Sequence, residues 1–129
     1  MIMSKEINEP ITIGLSPTSH EWLETFKQEE IFQEMMDGYR FAIAYTLSKG
    51  IEPPIISGEK KTTTFNIGSL DPKKEIYNSI LALNPPNLEA PIYKYAERLA
   101  EWGVTELVSI YKKSGTLDLS EIIQDSNKE

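Results

Sequence analysis

"ITIGLSPTSHEWLETF", residues 11–26, decides how this chain is read. Ile11, Ile13 and Leu15 alternate with Thr12, Gly14 and Ser16, the two-residue period of a short strand with one apolar face. Ser16-Pro17 then reads as a helix N-cap followed by the first helical residue, and Thr18 with Glu21 offers a capping box one step later. Trp22, Leu23 and Phe26 give that first helix a stripe to bury. Strand leads directly into helix.

Working outward, a link over 28–33 leads to a second helix, about Met35 to Ser48, closed by Gly50. Met36, Tyr39, Ile43 and Leu47 form one apolar row on it, and Phe41 and Tyr45 form another. An apolar surface this broad belongs to a helix at the centre of a core or shared with another subunit. Gly38 inside it points to a close backbone approach, since glycine costs about 1 kcal/mol against alanine there. "GIEPPIISGEKK", residues 50–61, is the linker, and "TTTFNI", residues 62–67, has strand composition. "SLDPKKEIYNSILAL" restarts a helix, with Asp71 as N-cap and Pro72 at its first position. After "NPPNLEAP", Pro91 opens a helix that runs to Gly103, and Val104 to Lys113 forms another, ended by Gly115. "TLDLSEII" adds a last turn, and "QDSNKE" reads as frayed.

The expected fold is therefore mainly α (α+β): a β-α-α start, a second short strand, then a three-helix C-terminal part. It is read as a single domain over 1–129, with a β-α-α unit at 11–50, a linker at 51–61, strand plus helices at 62–123 and a tail at 124–129. Two short strands make a sheet too small to stand alone. They pair either with each other or with the same strands of a second chain. The expectation carried forward is pairing between copies, in a dimer or higher homo-oligomer. The interface would be formed by Ile11, Ile13, Leu15, Tyr39, Phe41, Ile43, Tyr45 and Leu47.

The chemistry-bearing residues are few. The chain has no cysteine and a single histidine, His20, which removes disulfides, thiolate chemistry and multi-histidine metal sites. His20 lies where a capping or surface histidine would. Glu29, Glu30, Glu34 and Asp37 read as a solvated face near a helix N-terminus, where the macrodipole favours acids. No catalytic residues, metal or cofactor are expected. The N-terminal decapeptide lacks the apolar core of a signal peptide, and no apolar run approaches the ~18 residues of a membrane span, so a cytoplasmic protein is expected. A net charge of -7 works against a polyanionic partner, so any grip on nucleic acid needs a local basic patch. The anion-binding candidate is Lys60, Lys61, Thr62 and Thr63 together with Lys73 and Lys74 in the first turn of the following helix. "GEKKTTT" lacks the glycine spacing of a Walker motif.

Residues 11–50 resemble the ribbon-helix-helix family in their order of elements. That resemblance implies strands paired across a dimer axis and outward side chains entering the DNA major groove. The outward positions here are Thr12, Gly14 and Ser16, none of which makes a bidentate base contact. Gln33, Glu34 and Asp37 stand where the second helix would hold phosphate. The resemblance therefore implies the fold without its DNA-reading chemistry. "LSPTSHEWLETF", "YRFAIAYTLS" and "TTFNIGSLDPKKEIYNSILAL" resemble, more loosely, the DndE family of DNA phosphorothioate modification systems. That likeness implies a homo-oligomer inside a multi-protein DNA-modification or defence assembly. The functional expectation is a non-catalytic component of such an assembly, with any DNA contact non-specific. The competing expectation is an acidic protein-interaction module or antitoxin-like partner that never touches nucleic acid.

Overall fold

A computed structural model describes residues 9–55, 62–83 and 91–126, with Thr62–Thr64 and Gln124–Ser126 as backbone only. The chain order is β1 (Thr12–Leu15), α1 (Pro17–Gln28), α2 (Met35–Lys49), β2 (Thr62–Asn66), α3 (Ile67–Leu70), α4 (Glu75–Leu83), α5 (Ile92–Ser114) and α6 (Leu119–Ser126). The expectation of a mainly helical α+β fold is met.

The opening stretch folds as its residues dictate. Ser16 holds extended backbone and its hydroxyl accepts from the Ser19 N–H, with Pro17 at the first helical position. α1 ends in a Schellman turn: Glu30 N–H donates to the Lys27 carbonyl and Ile31 N–H to the Phe26 carbonyl. That turn sets Glu30 at φ 64°. α2 begins with a capping box between Glu34 and Asp37 and ends at Gly50, left-handed at φ 69°.

The strands do not wait for a second copy. β1 pairs antiparallel with β2 of the same chain, Thr12 opposite Asn66, Ile13 opposite Phe65, Gly14 opposite Thr63 and Leu15 opposite Thr62. The register slips between Ile13 and Gly14, so Thr64 is the extra residue of a bulge on β2. Ile67 N–H donates to the Ile11 carbonyl at 2.9 Å and extends the pairing by one rung. Pairing between copies is thereby corrected for β1: β2 of the same chain lies beside it, and α5 and α1 pack on it.

The C-terminal part also divides differently. α5 is one continuous helix of 23 residues, about 34 Å long, passing straight through Gly103. A Cβ on Gly103 would lie 2.8 Å from both the carbonyl carbon and the Cβ of Ala42, and closer still to the Ala42 carbonyl oxygen. This glycine admits α2 against α5 and ends nothing. Thr46 seals the same crossing, its hydroxyl lying 2.8 Å from both the Ala42 and the Leu99 carbonyl oxygens. Gly115, left-handed at φ 80°, is the true end of α5. Pro72, Lys73 and Lys74 form a turn ahead of α4, after the single-turn helix α3.

α5 is the spine. It packs on α2, α4, β1 and α1, and its contact with α2 is the most extensive in the fold. Tyr39, Phe26, Ile13, Leu15, Leu23, Ile43 and Leu99 are at most 1% exposed and fill the space between them. Gly38 makes the expected close approach: a Cβ there would meet Leu23 Cδ1 at 2.6 Å and Phe32 Cδ2 at 2.9 Å.

Candidate functional site

The outer edge of β1 decides what the ribbon can do. Gly14 N–H donates to Glu97 Oε2 at 2.8 Å, and the Tyr39 hydroxyl donates to the Gly14 carbonyl at 2.9 Å. Ser16 N–H donates to Glu101 Oε1 at 2.9 Å, while the Ser16 and Ser19 hydroxyls donate to Glu101 Oε2 at 2.9 and 2.7 Å. The Gly14 and Ser16 backbone groups are ones a partner strand on this edge would have to engage. Two carboxylates one helical turn apart on α5 already hold them. Glu97 is 2% exposed, and the exposed ammonium of Lys94 lies 3.4 Å from its Oε1. Burial drives the Tyr39 phenol well above its ordinary pKa, reinforced by the negative fields of Glu97 and Glu101, so it stays a neutral donor.

The expected interface residues divide on burial. Ile13, Leu15, Tyr39 and Ile43 are 0–1% exposed inside their own chain, so they have no surface to offer a second copy. Tyr45 is also buried, with its ring stacked 6.3 Å from Trp102. Phe41 and Leu47 are half-buried, and Ile11 is exposed.

The expected anion site is answered from within the chain. Asp71 accepts the Ile76 and Tyr77 N–H groups, both at 3.0 Å, so the N-terminal amides of α4 that would cradle a phosphate hold a carboxylate. The buried Tyr93 hydroxyl donates to the same carboxylate at 2.8 Å. Burial first and the Asp71 hydrogen bond second push the Tyr93 phenol upward. Lys74 precedes the helix rather than lying in its first turn, at φ 59°, with its ammonium 5.3 Å from the Tyr77 ring centroid. Lys73 lies in the same turn. Thr62 and Thr63 are in β2, opposite Leu15 and Gly14; their side chains, and Lys60 and Lys61 entirely, lie outside the described residues.

Glu9 repeats the device at α5, accepting the Ile92 and Tyr93 N–H groups at 3.0 and 2.9 Å. Sequence reading missed Glu9, Glu97 and Glu101. A signal for Glu97 was present, because it is an acid set among Tyr93, Ala96, Ala100 and Val104 on the apolar arc of a helix. Of the acids at 29–37, Glu29 accepts the Tyr111 hydroxyl, Glu34 lies 3.5 Å from Lys27, and Asp37 pairs with Arg40. Among the described residues no group of three or more His, Cys, Asp or Glu is arranged to hold a metal. His20 Nε2 lies 3.7 Å from Glu24.

One open groove is largely apolar. A groove of about 280 Å³ is lined by Leu47, Gly50, Ile51, Leu83, Tyr95 and Leu99, with Glu52 at its rim. Leu83 is 58% and Ile51 37% exposed. Arg98 fixes the loop beside it through the Pro53 and Pro54 carbonyls and rests 5.1 Å from the Tyr95 ring centroid.

Compared with known proteins, the chain matches no family model, no curated protein and no solved structure. Among the described residues, no helix is long and apolar enough to cross a membrane.

Proposed function

We propose that this protein is a non-catalytic assembly component that works through protein–protein contact, and that its first partner is a second copy of itself. The observation that carries this reading is the groove between α2, α4 and α5. It places a hollow lined by Leu47, Tyr95 and Leu99 beside a protruding Leu83. A patch holding both hollow and knob can complement itself across a two-fold axis. Exposed apolar side chains grouped around a hollow mark interaction surfaces more often than scattered ones do. This keeps Leu47 of the expected oligomer contact and replaces its ribbon residues with the groove at the C-terminal end of α2. The setting, a DNA-modification or defence assembly, rests on the DndE resemblance and belongs to the same proposal.

Light scattering on the full chain tests it. The wild type should have the mass of two chains at tens of micromolar, and Leu83→Glu the mass of one. Because Leu83 meets the interface from both sides of the axis, its loss removes about 2 kcal/mol, roughly a thirtyfold rise in dissociation constant. A wild-type monomer at that concentration overturns the reading.

A further inference from the structure

We propose that the corner where α1 meets the last third of α5 is a docking cleft for an arginine or lysine side chain of a basic partner segment. It goes beyond self-association by naming the chemistry of a second partner, and it rests on the reading of the chain as an interaction component.

The cleft, of about 440 Å³, is lined by Glu21, Trp22, Thr25, Glu29 and Tyr111. The half-buried rings of Trp22 and Tyr111 stand 5.8 Å apart at 65°, two walls of a corner. Phe26 backs both, 5.9 Å from Trp22 and 5.4 Å from Tyr111. Glu29, the C-cap of α1, is fixed at the mouth by the Tyr111 hydroxyl, which donates to its Oε1. That bond, more than burial, raises the phenol's pKa and keeps it a donor. Two aromatic faces with carboxylates at the rim suit a flat or compact cation, attracted by the rings' electron-rich faces and by the acids. Lys112, exposed on α5 and not part of the cleft lining, places its ammonium 5.5 Å from the Trp22 ring centroid, so this ring already takes a cation–π contact for which an incoming cation would compete. A net charge of -7 adds long-range attraction for a basic segment.

Short peptides of defined charge test it. Acetyl-Gly-Arg-Gly-Arg-Gly-amide, its lysine analogue and its glutamine analogue are titrated into the full chain carrying Trp102→Phe, which leaves Trp22 as the sole tryptophan reporter. The arginine and lysine peptides should shift Trp22 emission with millimolar saturation, and the ratio of their affinities tells guanidinium from ammonium preference. The glutamine peptide should give no shift. Glu29→Gln should weaken binding about threefold and Lys112→Ala should tighten it about threefold, whereas Glu75→Gln, a remote exposed acid, should change nothing. Far-ultraviolet circular dichroism confirms that each variant is folded. The proposal is overturned by equal binding of the neutral peptide, or by a Lys112→Ala variant that binds no more tightly. It is equally overturned by a Glu75→Gln loss matching that of Glu29→Gln, the mark of diffuse acidity. None of these outcomes touches the self-association measurement, which reads a different end of the molecule.

Discussion

Replacing Gly103 with alanine sets two effects of opposite sign against each other. In the interior of α5, alanine is favoured over glycine by about 1 kcal/mol, so helix propensity alone predicts a more stable protein. The packing predicts the reverse. The new methyl would sit 2.8 Å from the carbonyl carbon and Cβ of Ala42 and nearer still to its oxygen, and none of these atoms is the movable end of a side chain. Restoring ordinary contact near 3.5–4 Å requires α2 and α5 to part by roughly 1 Å. Thr46 holds the two helices together through the carbonyls of Ala42 and Leu99, so separation also stretches that bridge. Overpacking of this kind costs about 3 kcal/mol at the upper end of its usual range, leaving a net loss of about 2 kcal/mol after the propensity gain. An unfolding entropy of about 2.1 cal/mol/K per residue converts that to a fall in Tm of roughly 7 °C. Thermal unfolding followed by circular dichroism, with a urea titration for the free energy, gives both numbers. A Gly103→Ala variant as stable as the wild type, or more so, would refute the tight α2–α5 crossing.

Three further outcomes follow from the polar groups around α5. Glu97→Ala leaves the buried Gly14 N–H without its acceptor and should lose about 2–3 kcal/mol in urea unfolding; Glu97→Gln keeps a side-chain oxygen there and should lose less. Tyr39 and Tyr93 have phenols raised above their unfolded value near 10, so the native state retains protons that the unfolded state gives up. Their contribution is complete below about pH 10 and is lost as pH climbs toward the folded values, so Tm should decline above pH 10, less steeply in Tyr93→Phe. With the α4 amides taken by Asp71, duplex DNA should not bind measurably by fluorescence anisotropy at ~50 mM salt; binding abolished by Lys73→Glu with Lys74→Glu would contradict this.

What the sequence made legible was local. Ser16-Pro17, Gly50 at the end of α2 and Gly115 at the end of α5 act through neighbours within one turn, and each was read in its place; the Glu34–Asp37 capping box was read only as a solvated acidic face. Gly103 was misread because a glycine that ends a helix and one that admits a second helix look alike until the partner is known. The ribbon was misjudged for a related reason. Alternation in residues 11–16 reveals a strand, yet it says nothing of whether Phe65 or a second copy lies beside Ile13. Asp71 was recognised as a cap, while Pro72–Lys74 were placed inside the helix it caps; the carboxylate in fact reaches five and six residues ahead, to Ile76 and Tyr77. Glu9, Glu97 and Glu101 act across more than eighty residues, beyond any spacing rule.

Those long-range acids change what the net charge means. Glu9, Asp71, Glu97 and Glu101 each accept backbone N–H groups within β1 or at a helix start, and all but Asp71 tie the N-terminal ribbon region to α5. Asp71 reaches the same helix through Tyr93. Part of the acidity is therefore internal scaffolding, and a basic partner meets only what is left outside, as at Glu21 and Glu29. The same scaffolding distinguishes this β-α-α unit from a free DNA-reading ribbon. A ribbon free to enter a major groove keeps one face and one edge in solvent, whereas here Ile13 and Leu15 face a core and Gly14 and Ser16 are bonded to α5. α5 has taken the position that nucleic acid or a sister strand would need. The two proposed contacts, the apolar groove beside Leu83 and the aromatic corner at Trp22, both lie on the described surface away from that position.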